Sequence, residues 1–261
     1  ERRHLAAMEV SSHALVQQRV AGLKFETAIF TNLSRDHLDY HGTMEAYGDA
    51  KALLFVENQS RTAVINVSDA FGKRLAQISQ LPVLAYGRLS DCHGFSRFLA
   101  YDELESDGHG FSCKLHTDAG QFNLHIPLLA EFNVQNVLAA MGAMVQLGYS
   151  LPAVVEAVRL LKSVPGRMEL WHFPGDVSVV VDYAHTPDAL QQSLIALRQQ
   201  CRGRVWCVFG CGGDRDKGKR PLMGQIAELY ADHVIITADN PRTEAVLDIC
   251  NDIAAGMVTG A

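Results

Sequence analysis

The side chains best suited to metal chemistry lie near the beginning of the chain, in and just before the stretch DHLDYHGTMEAYGDAK (36–51). Glu9 is expected to end a buried strand, LAAMEV (5–10), and His37 follows a second predicted strand, TAIFTNL (27–33). In open α/β sheets, ligands gather beyond the carboxyl ends of the strands. A carboxylate and an imidazole at that edge suit a divalent cation, and Mg²⁺ would take further oxygens from water or phosphate.

Each of these residues also has a simpler interpretation. A glutamate after a strand is often a solvated or helix-capping carboxylate, and the remaining polar groups of the stretch could only solvate a loop. These remaining groups are Asp36, Asp39 and His41. Spacing alone does not separate the two interpretations.

Lys51 favours the metal site. It is predicted to lie on the inward stripe of a helix, because Met44, Tyr47, Leu54 and Phe55 recur around it at helical spacing. Burial disfavours the ammonium form and lowers the pKa, and a neutral amine can attack CO₂ to give a carbamate. The alternative is that the Lys51 side chain extends past the stripe to water.

No GxxxxGK[ST] phosphate-binding loop occurs in the 261 residues. If the metal holds ATP, the main phosphate-binding loop is therefore expected outside this chain. The chain also opens in a predicted strand and closes in a predicted helix (245–257), so we expect it to be part of a longer protein.

A second group of anion-binding residues is predicted in the later part of the chain. DNPR (239–242) follows the strand HVIITA and is expected to place backbone N–H groups and Arg242 at a helix start. Arg215 lies in the glycine-rich loop GCGGDRDKGK (210–219), after the preceding strand. Two arginines at neighbouring strand ends can clamp an amino-acid carboxylate, although such a loop can also be purely structural.

The order of predicted elements indicates an α/β protein with a mostly parallel sheet. Strands alternate with helices up to about residue 80, a hairpin or small antiparallel ribbon is expected between 95 and 127, and two helices follow at 132–147 and 152–163. Pro and Gly in SVPGRMEL (163–170) indicate a domain boundary, after which three further βα units are predicted.

Composition excludes several classes of protein. The net charge of −6 disfavours a nucleic-acid partner, apart from the local basic group Arg215, Lys217, Lys219 and Arg220. No apolar run approaches the roughly 18 residues that a membrane span needs, and no signal peptide is recognisable, so a cytoplasmic location is expected. The six cysteines contain no CxxC pair, which predicts buried reduced thiols.

Six motifs in order resemble those of the Mur ligases. They are the long stretch MEVSSHAL…DAKALLF (8–55), EFNVQNVLAA (131–140), GRMEL (166–170), VVDYAHTPDAL (180–190), VFGCGGDRDKGKRPLMG (208–224) and DNPRTE (239–244). The resemblance covers nearly the whole chain and is weakest at 68–127. It implies the later part of a central ATP-binding parallel-sheet domain at 1–166, followed by most of a Rossmann-like C-terminal α/β domain at 167–261. The first domain, the phosphate loop and a final segment with a GKGHE-like motif are missing.

The resemblance also implies roles for individual residues. Glu9 and His37 become magnesium-associated, and Lys51 becomes the carbamylated lysine, while Asp36, Asp39 and His41 shape the loop. Ser11, Gln17 and Arg19 match positions that contact the muramoyl-peptide substrate. Nucleotide-side positions are matched by Asn133, Asn136, Arg167, Asp182 and His185. Positions for diaminopimelate are matched by Arg215, Asp239, Asn240, Pro241 and Arg242.

Among the residues of the nucleotide side, Asp182 also has a physical rationale of its own. It follows the predicted strand VSVVV (177–181), where a carboxylate can bind ribose hydroxyls, although a helix cap or turn is the alternative.

The activity that the resemblance implies is an ATP-dependent amide ligase. It would add meso-diaminopimelate to UDP-N-acetylmuramoyl-L-alanyl-D-glutamate through an acyl phosphate, in peptidoglycan precursor synthesis, with Mg²⁺ and ATP. Two alternatives stay open: a related ligase for another amine or for folylpolyglutamate, and a non-catalytic fragment that binds an amino acid.

Overall fold

A computed structural model describes residues 5–56, 59–175 and 177–258. These residues form two compact units. The first is drawn from the described parts of Glu1–Glu105, Ser112–Ile126 and Gln135–Leu160, and the second from those of Ser106–Phe111, Pro127–Val134 and Leu161–Ala261.

The first unit is built on a six-stranded sheet with the strand order β1-β2-β3-β4-β5-β6. The strands are β1 (Phe25–Phe30), β2 (Ser60–Asn66), β3 (Val83–Arg88), β4 (Phe98–Ser106), β5 (Phe111–Thr117) and β6 (Gly120–Ile126). The strands β1 to β4 pair parallel with one another. Two residues separate β5 from β6, a connection that only a hairpin allows. The predicted ribbon is therefore confirmed in its second half, whereas β4 extends the parallel part.

The first six helices of the chain are α1 (Ser12–Val16), α2 (Leu38–His41), α3 (Met44–Val56), α4 (Ala70–Ile78), α5 (Phe132–Gln146) and α6 (Leu151–Val158). The strand β2 is central and apolar on both faces, and Ala63, Val64 and Ile65 are fully buried. The helix α4 begins where the Asp69 carboxylate accepts the Gly72 N–H at 2.9 Å. The strand β2 and the helix α4 thus follow the predicted alternation of strands and helices in this part of the chain.

The second unit contains two separate two-stranded sheets. The strands β7 (Glu169–Phe173) and β8 (Val177–Val181) pair antiparallel, whereas β9 (Trp206–Phe209) and β10 (His233–Ile236) pair parallel. Its helices are α7 (Pro187–Gln200), α8 (Lys219–Tyr230) and α9 (Val246–Ala254). Their apolar faces meet in a core that includes Leu194, Met223 and Ile253.

One predicted strand is absent from the described residues, and the first of the three later βα units, which are all present, has a different strand partner from the other two. The segment 5–10 is not a strand: Leu5 is 53% and Met8 is 57% exposed, and no described strand lies beside the segment to complete a hydrogen-bond ladder. The three βα units of the later part exist in sequence order, but β8 does not share their sheet. It pairs instead with β7, which was not predicted as a strand.

The cysteine prediction holds for four of the six residues. Cys92, Cys113, Cys207 and Cys211 are buried, whereas Cys201 is exposed. Burial raises the pKa of the Cys207 thiol to about 11, so this thiol stays protonated at neutral pH. In the part of the chain that the structure describes, no helix is long and apolar enough to cross a membrane.

Candidate functional site

The helix α3 places Tyr47 and Lys51 one turn apart on the same face. Tyr47 is buried, and the Lys51 Nζ lies 4.9 Å from the centroid of its ring. The His37 ring meets the same tyrosine edge-on, with 5.8 Å between the ring centroids. His37 and Lys51, which are 14 residues apart in sequence, therefore both contact the same aromatic ring.

Burial and charge act in opposite directions on Lys51. Burial of the ammonium group lowers the pKa of Lys51, and the carboxylates of Glu9 and Asp36 counteract part of this decrease. The neutral amine is therefore populated at a lower pH than in an exposed lysine. Because both carboxylates act on Lys51, Glu9 lies within electrostatic reach of it although segment 5–10 is not a strand.

Asp36 contacts His37 directly, whereas from the sequence Asp36 was expected only to shape the loop. Its Oδ1 accepts the backbone N–H of His37 at 2.9 Å, and its Oδ2 lies 3.6 Å from the His37 Nε2. His37 has a left-handed backbone conformation (φ 54°) at the N-cap of α2, an uncommon conformation for a residue with a Cβ. Asp36 thus stabilises the left-handed turn from which the His37 imidazole projects. In the sequence, the position of Asp36 directly before His37 is the feature that could have identified Asp36 as part of this site.

The described residues include no group of three or more His, Cys, Asp or Glu side chains arranged to hold a metal ion. The donors near Lys51 are the Glu9 and Asp36 carboxylates and the His37 imidazole. A carbamate on Lys51 would replace a repelling cation with an anionic oxygen donor, and Mg²⁺ keeps several waters when few protein ligands are present. A carbamate on Lys51 would therefore make this donor set better suited to Mg²⁺ than the ammonium form does.

The predicted substrate-contacting residues lie around α1 rather than along its start. The Ser11 hydroxyl caps α1 by accepting the Ala14 N–H at 3.2 Å. Gln17 lies at the other end, where its side-chain amide donates to the Tyr40 hydroxyl at 3.2 Å. Arg19 follows the helix and is exposed.

Next to α1, imidazole and phenol rings form a cluster that sequence reasoning missed. The His41 Nε2 lies 2.8 Å from the hydroxyl of the buried Ser12, and the His41 ring stacks on Tyr47 at 5.2 Å. The His13 ring contacts those of His37 and Tyr40 at centroid distances of 4.9 and 4.1 Å. The cluster connects the α1 region to the Lys51 region.

The predicted nucleotide-side residues divide between the two units. Asn136 belongs to the first unit, and the other four belong to the second. Among those four, the Asn133 side chain donates to the Leu129 carbonyl oxygen at 2.6 Å. Asp182 accepts the Met168 N–H at 3.1 Å and the Ser193 hydroxyl at 2.6 Å. Both carboxylate oxygens of Asp182 thus already fix the backbone beside β7 and α7.

Arg167 and His185 lie at an exposed surface of the second unit. The Arg167 guanidinium is 4.7 Å from the centroid of the Tyr183 ring, and the His185 ring lies 5.3 Å from the same tyrosine. The Lys219 Nζ donates to the His185 carbonyl oxygen at 2.7 Å. Flat, exposed rings beside a guanidinium offer stacking and phosphate contacts to a nucleotide.

The DNPR segment was predicted at the start of a helix, but it does not lie there. The helix α9 begins at Val246, so Thr243, Glu244 and Ala245 separate it from Arg242. Instead the segment packs against the glycine-rich loop. The Gly213 N–H donates to the Asn240 carbonyl oxygen at 2.9 Å, and Arg242 Nη1 donates to the Gly213 carbonyl oxygen at 2.8 Å.

Two of the four residues of the predicted basic group pair with carboxylates within the second unit. Arg220 is fully buried against Glu244 and Asp252, and Lys217 pairs with Glu244 at 2.8 Å. Arg215 is exposed and belongs to the loop that packs on DNPR. Arg215 and Arg242 thus lie on two loops that contact each other, which suits recognition of a carboxylate-bearing ligand.

We expect Gly213→Ala to loosen this arrangement. A Cβ at Gly213 would lie 1.9 Å from the Pro241 carbonyl oxygen, so one of the two loops would have to move. The free energy of unfolding, measured in urea, should fall by about 1–3 kcal/mol. Gly203→Ala is the matched control because nothing lies within 4 Å of its Cβ, and it should leave stability unchanged. Equal stability of the two variants would contradict the close approach.

Comparison with known proteins assigns the family. Residues 1–144 match the model described as Mur ligase middle domain, and residues 166–260 match Mur ligase, glutamate ligase domain. The UDP-N-acetylmuramoyl-L-alanyl-D-glutamate--2,6-diaminopimelate ligase of Vibrio vulnificus (strain YJ016) is 48% identical over 257 residues, covering 97% of this chain and 51% of that protein. A solved structure of a ligase with the same description is 43% identical, with a TM-score of 0.64, and covers 95% of this chain and 51% of that one.

A folylpolyglutamate synthase structure from Mycobacterium tuberculosis has a TM-score of 0.69 at 20% identity, over 88% of this chain and 52% of that one, and shows a shared fold alone. The chain spans about half the length of these relatives. Because the middle-domain model alone matches more than half of the residues, this chain belongs to the Mur ligase family.

Proposed function

We propose that this chain is part of an ATP-dependent ligase that adds meso-diaminopimelate to UDP-N-acetylmuramoyl-L-alanyl-D-glutamate, in peptidoglycan precursor synthesis. The observation that carries the proposal is the 48% identity to the Vibrio vulnificus ligase over 97% of the chain. The reaction would activate the glutamate carboxylate as an acyl phosphate, which the diaminopimelate amine then attacks. The proposed use of ATP and a UDP-linked precursor also implies a cytoplasmic location.

Such a reaction needs phosphate charge neutralised and reactants held in place. We assign the first task to Glu9, His37 and Lys51. The neutral Lys51 amine would attack CO₂ and lose a proton, and the resulting carbamate would replace a cation with an anion. When bound there, Mg²⁺ would neutralise phosphate charge. The lowered pKa of Lys51 and its position beside Glu9 and Asp36 support this assignment.

The remaining residues are assigned to the UDP-linked substrate, the nucleotide and the incoming amino acid. For the UDP-linked substrate we propose Ser11, Gln17 and Arg19, which lie around α1. For the nucleotide we propose Asn133, Asn136, Arg167, Asp182 and His185. The exposed positions of Arg167 and His185 beside the Tyr183 ring support the nucleotide assignment.

For the incoming amino acid we propose Arg215 and the DNPR segment, Asp239, Asn240, Pro241 and Arg242. Diaminopimelate has one carboxylate more than lysine, and a guanidinium pairs with a carboxylate through parallel hydrogen bonds. The contact between the two loops supports a shared site. We also propose a domain boundary between residues 166 and 167, and the second family match begins at residue 166.

The test uses the complete protein, meaning the product of the full reading frame that encodes this chain. Phosphate release is measured with ATP, Mg²⁺ and UDP-N-acetylmuramoyl-L-alanyl-D-glutamate, with diaminopimelate, lysine or glutamate as the amine. We expect turnover that depends on diaminopimelate. Preference for another amine would indicate a related ligase. Binding of diaminopimelate without turnover would indicate a non-catalytic protein, and either result would overturn the proposal.

A further inference from the structure

The second unit contains a fully buried arginine that the proposed chemistry does not use. Arg220 of α8 donates from Nη2 to the Glu244 Oε1 at 2.9 Å and from Nη1 to the Glu244 Oε2 at 3.0 Å. Its Nη1 also lies 2.8 Å from the Asp252 Oδ2 of α9. A buried guanidinium needs paired carboxylates. The two carboxylates of Arg220 lie on different elements, since Asp252 belongs to α9 and Glu244 to the loop before it.

Glu244 lies two residues after the end of the DNPR segment, and its carboxylate binds the glycine-rich loop and α8. Besides Arg220, it accepts the Lys217 ammonium at 2.8 Å and the Asp214 backbone N–H at 2.6 Å. These donors keep the pKa of Glu244 well below its usual range, with the Arg220 hydrogen bond as the largest cause. Glu244 therefore stays ionised at neutral pH and ties the glycine-rich loop, the DNPR segment and α8 together.

The two loops it connects have an uncommon backbone conformation. Asp214 and Arg242 have φ angles of 51° and 49°, a region that costs energy for residues with a Cβ and persists only where the surroundings impose it. The Thr243 hydroxyl and backbone N–H both donate to the Asp214 carboxylate, at 2.7 and 3.2 Å. Contacts of Asn240 and Thr243 therefore hold the backbone on both sides of Arg242, and its guanidinium donates to the Gly213 carbonyl oxygen.

We infer that Arg220 and Glu244 are positioning residues, which hold Arg242 and the DNPR segment in the conformation that receives the incoming amino acid. The identity of that amino acid as diaminopimelate rests on the proposed function. Neither residue needs to touch the ligand, because both act through the backbone conformation at Asp214 and Arg242.

The alternative is that the buried ion pair only stabilises the second unit. Asp252 allows the two roles to be separated. It binds the same arginine at a similar distance but lies on α9, away from the loop contacts of Glu244. Glu244→Gln and Asp252→Asn each remove one negative charge from Arg220, and only the first loosens the tie to the glycine-rich loop.

The experiment compares both variants with the unchanged complete protein. Hydrogen exchange is measured at the backbone amides of Gly213 and Thr243, which bond to the opposite loop. We expect exchange at these amides to become at least about tenfold faster in Glu244→Gln and to stay near its original rate in Asp252→Asn. The KM for diaminopimelate should rise about 10- to 100-fold in Glu244→Gln alone, with the KM for ATP unchanged.

A second variant keeps the inference testable if Glu244→Gln does not fold. Thr243→Val removes the hydroxyl bond to Asp214 at an exposed position, and it should accelerate exchange at Gly213 and raise the diaminopimelate KM to a smaller extent. Unchanged exchange and KM in the foldable variants, or equal effects in Glu244→Gln and Asp252→Asn, would overturn the inference. If the unchanged protein shows no turnover with diaminopimelate, the proposed function fails separately, and the exchange rates alone decide the positioning role.

Discussion

Replacing Lys51 with methionine in the complete protein should lower kcat about 100- to 1000-fold, the loss typical of removing one charge-stabilising group from an active site. Methionine preserves the apolar stem over the Tyr47 ring but cannot form a carbamate. Lys51→Glu restores an anionic oxygen and should retain more activity than Lys51→Met. Initial rates of phosphate release, measured at saturating ATP, give the comparison.

The carbamate itself is tested by the supply of CO₂. Because burial lowers the pKa of Lys51, its amine is neutral at a lower pH than that of an ordinary lysine. Carbamate formation needs the neutral amine, so it should become slower as the pH falls through this lowered pKa. Removing CO₂ should reduce the activity of the unchanged protein, bicarbonate should restore it, and a ¹³C label should report the carbamate carbon.

Lys73→Met is the matched control for these measurements, since Lys73 is an exposed lysine of α4. It should retain full activity and the same response to bicarbonate. Lys51→Met with the kcat of the unchanged protein would refute the role that we assign to the lysine.

The second large effect is expected for Arg242→Ala, which removes the proposed partner of the extra carboxylate of diaminopimelate. Arg242 is exposed in the chain alone, and a hydrogen bond to a charged group contributes about 1.5–3 kcal/mol, which corresponds to about a 10- to 150-fold lower kcat/KM for diaminopimelate. The KM for ATP should not change. Activity with lysine should fall much less, because lysine has no carboxylate at that end.

One further variant of Arg242 distinguishes the effect of charge from that of geometry, and a second variant serves as the control. Arg242→Lys retains the positive charge but not the planar pair of donors, so we expect an intermediate loss with diaminopimelate. Arg202→Ala is the control for removal of an exposed arginine in the same unit and should leave the kinetics unchanged. Unaltered diaminopimelate kinetics in Arg242→Ala would exclude this residue from the site.

The sequence predicted best where the relevant interactions are local. The elements α3, β2 and α4 follow the predicted alternation of helices and strands, because periodicity and caps operate over one or two turns. The inward face of Lys51 follows from the same periodicity and agrees with its partial burial on α3.

Prediction failed where a residue depends on a distant partner. The segment 5–10 has the composition of a strand, but a strand exists only beside a neighbour, and the described residues supply none. The partner of the strand β8 was not predicted either, because β7, the strand that pairs with it, begins in the GRMEL motif and was not recognised as a strand.

By itself, the sequence determined the α/β class, the order of the elements and the motifs of the family, because these depend on short-range patterns and residue identity. Only the tertiary structure decided that the turn at Asp36 and His37 meets the face of α3 that carries Tyr47 and Lys51, and that Glu244 and Arg220 hold the loop that bears Arg242. The physical reason is that such groups meet through packing and charge between segments that are far apart in the chain. Local spacing carries no record of these distances.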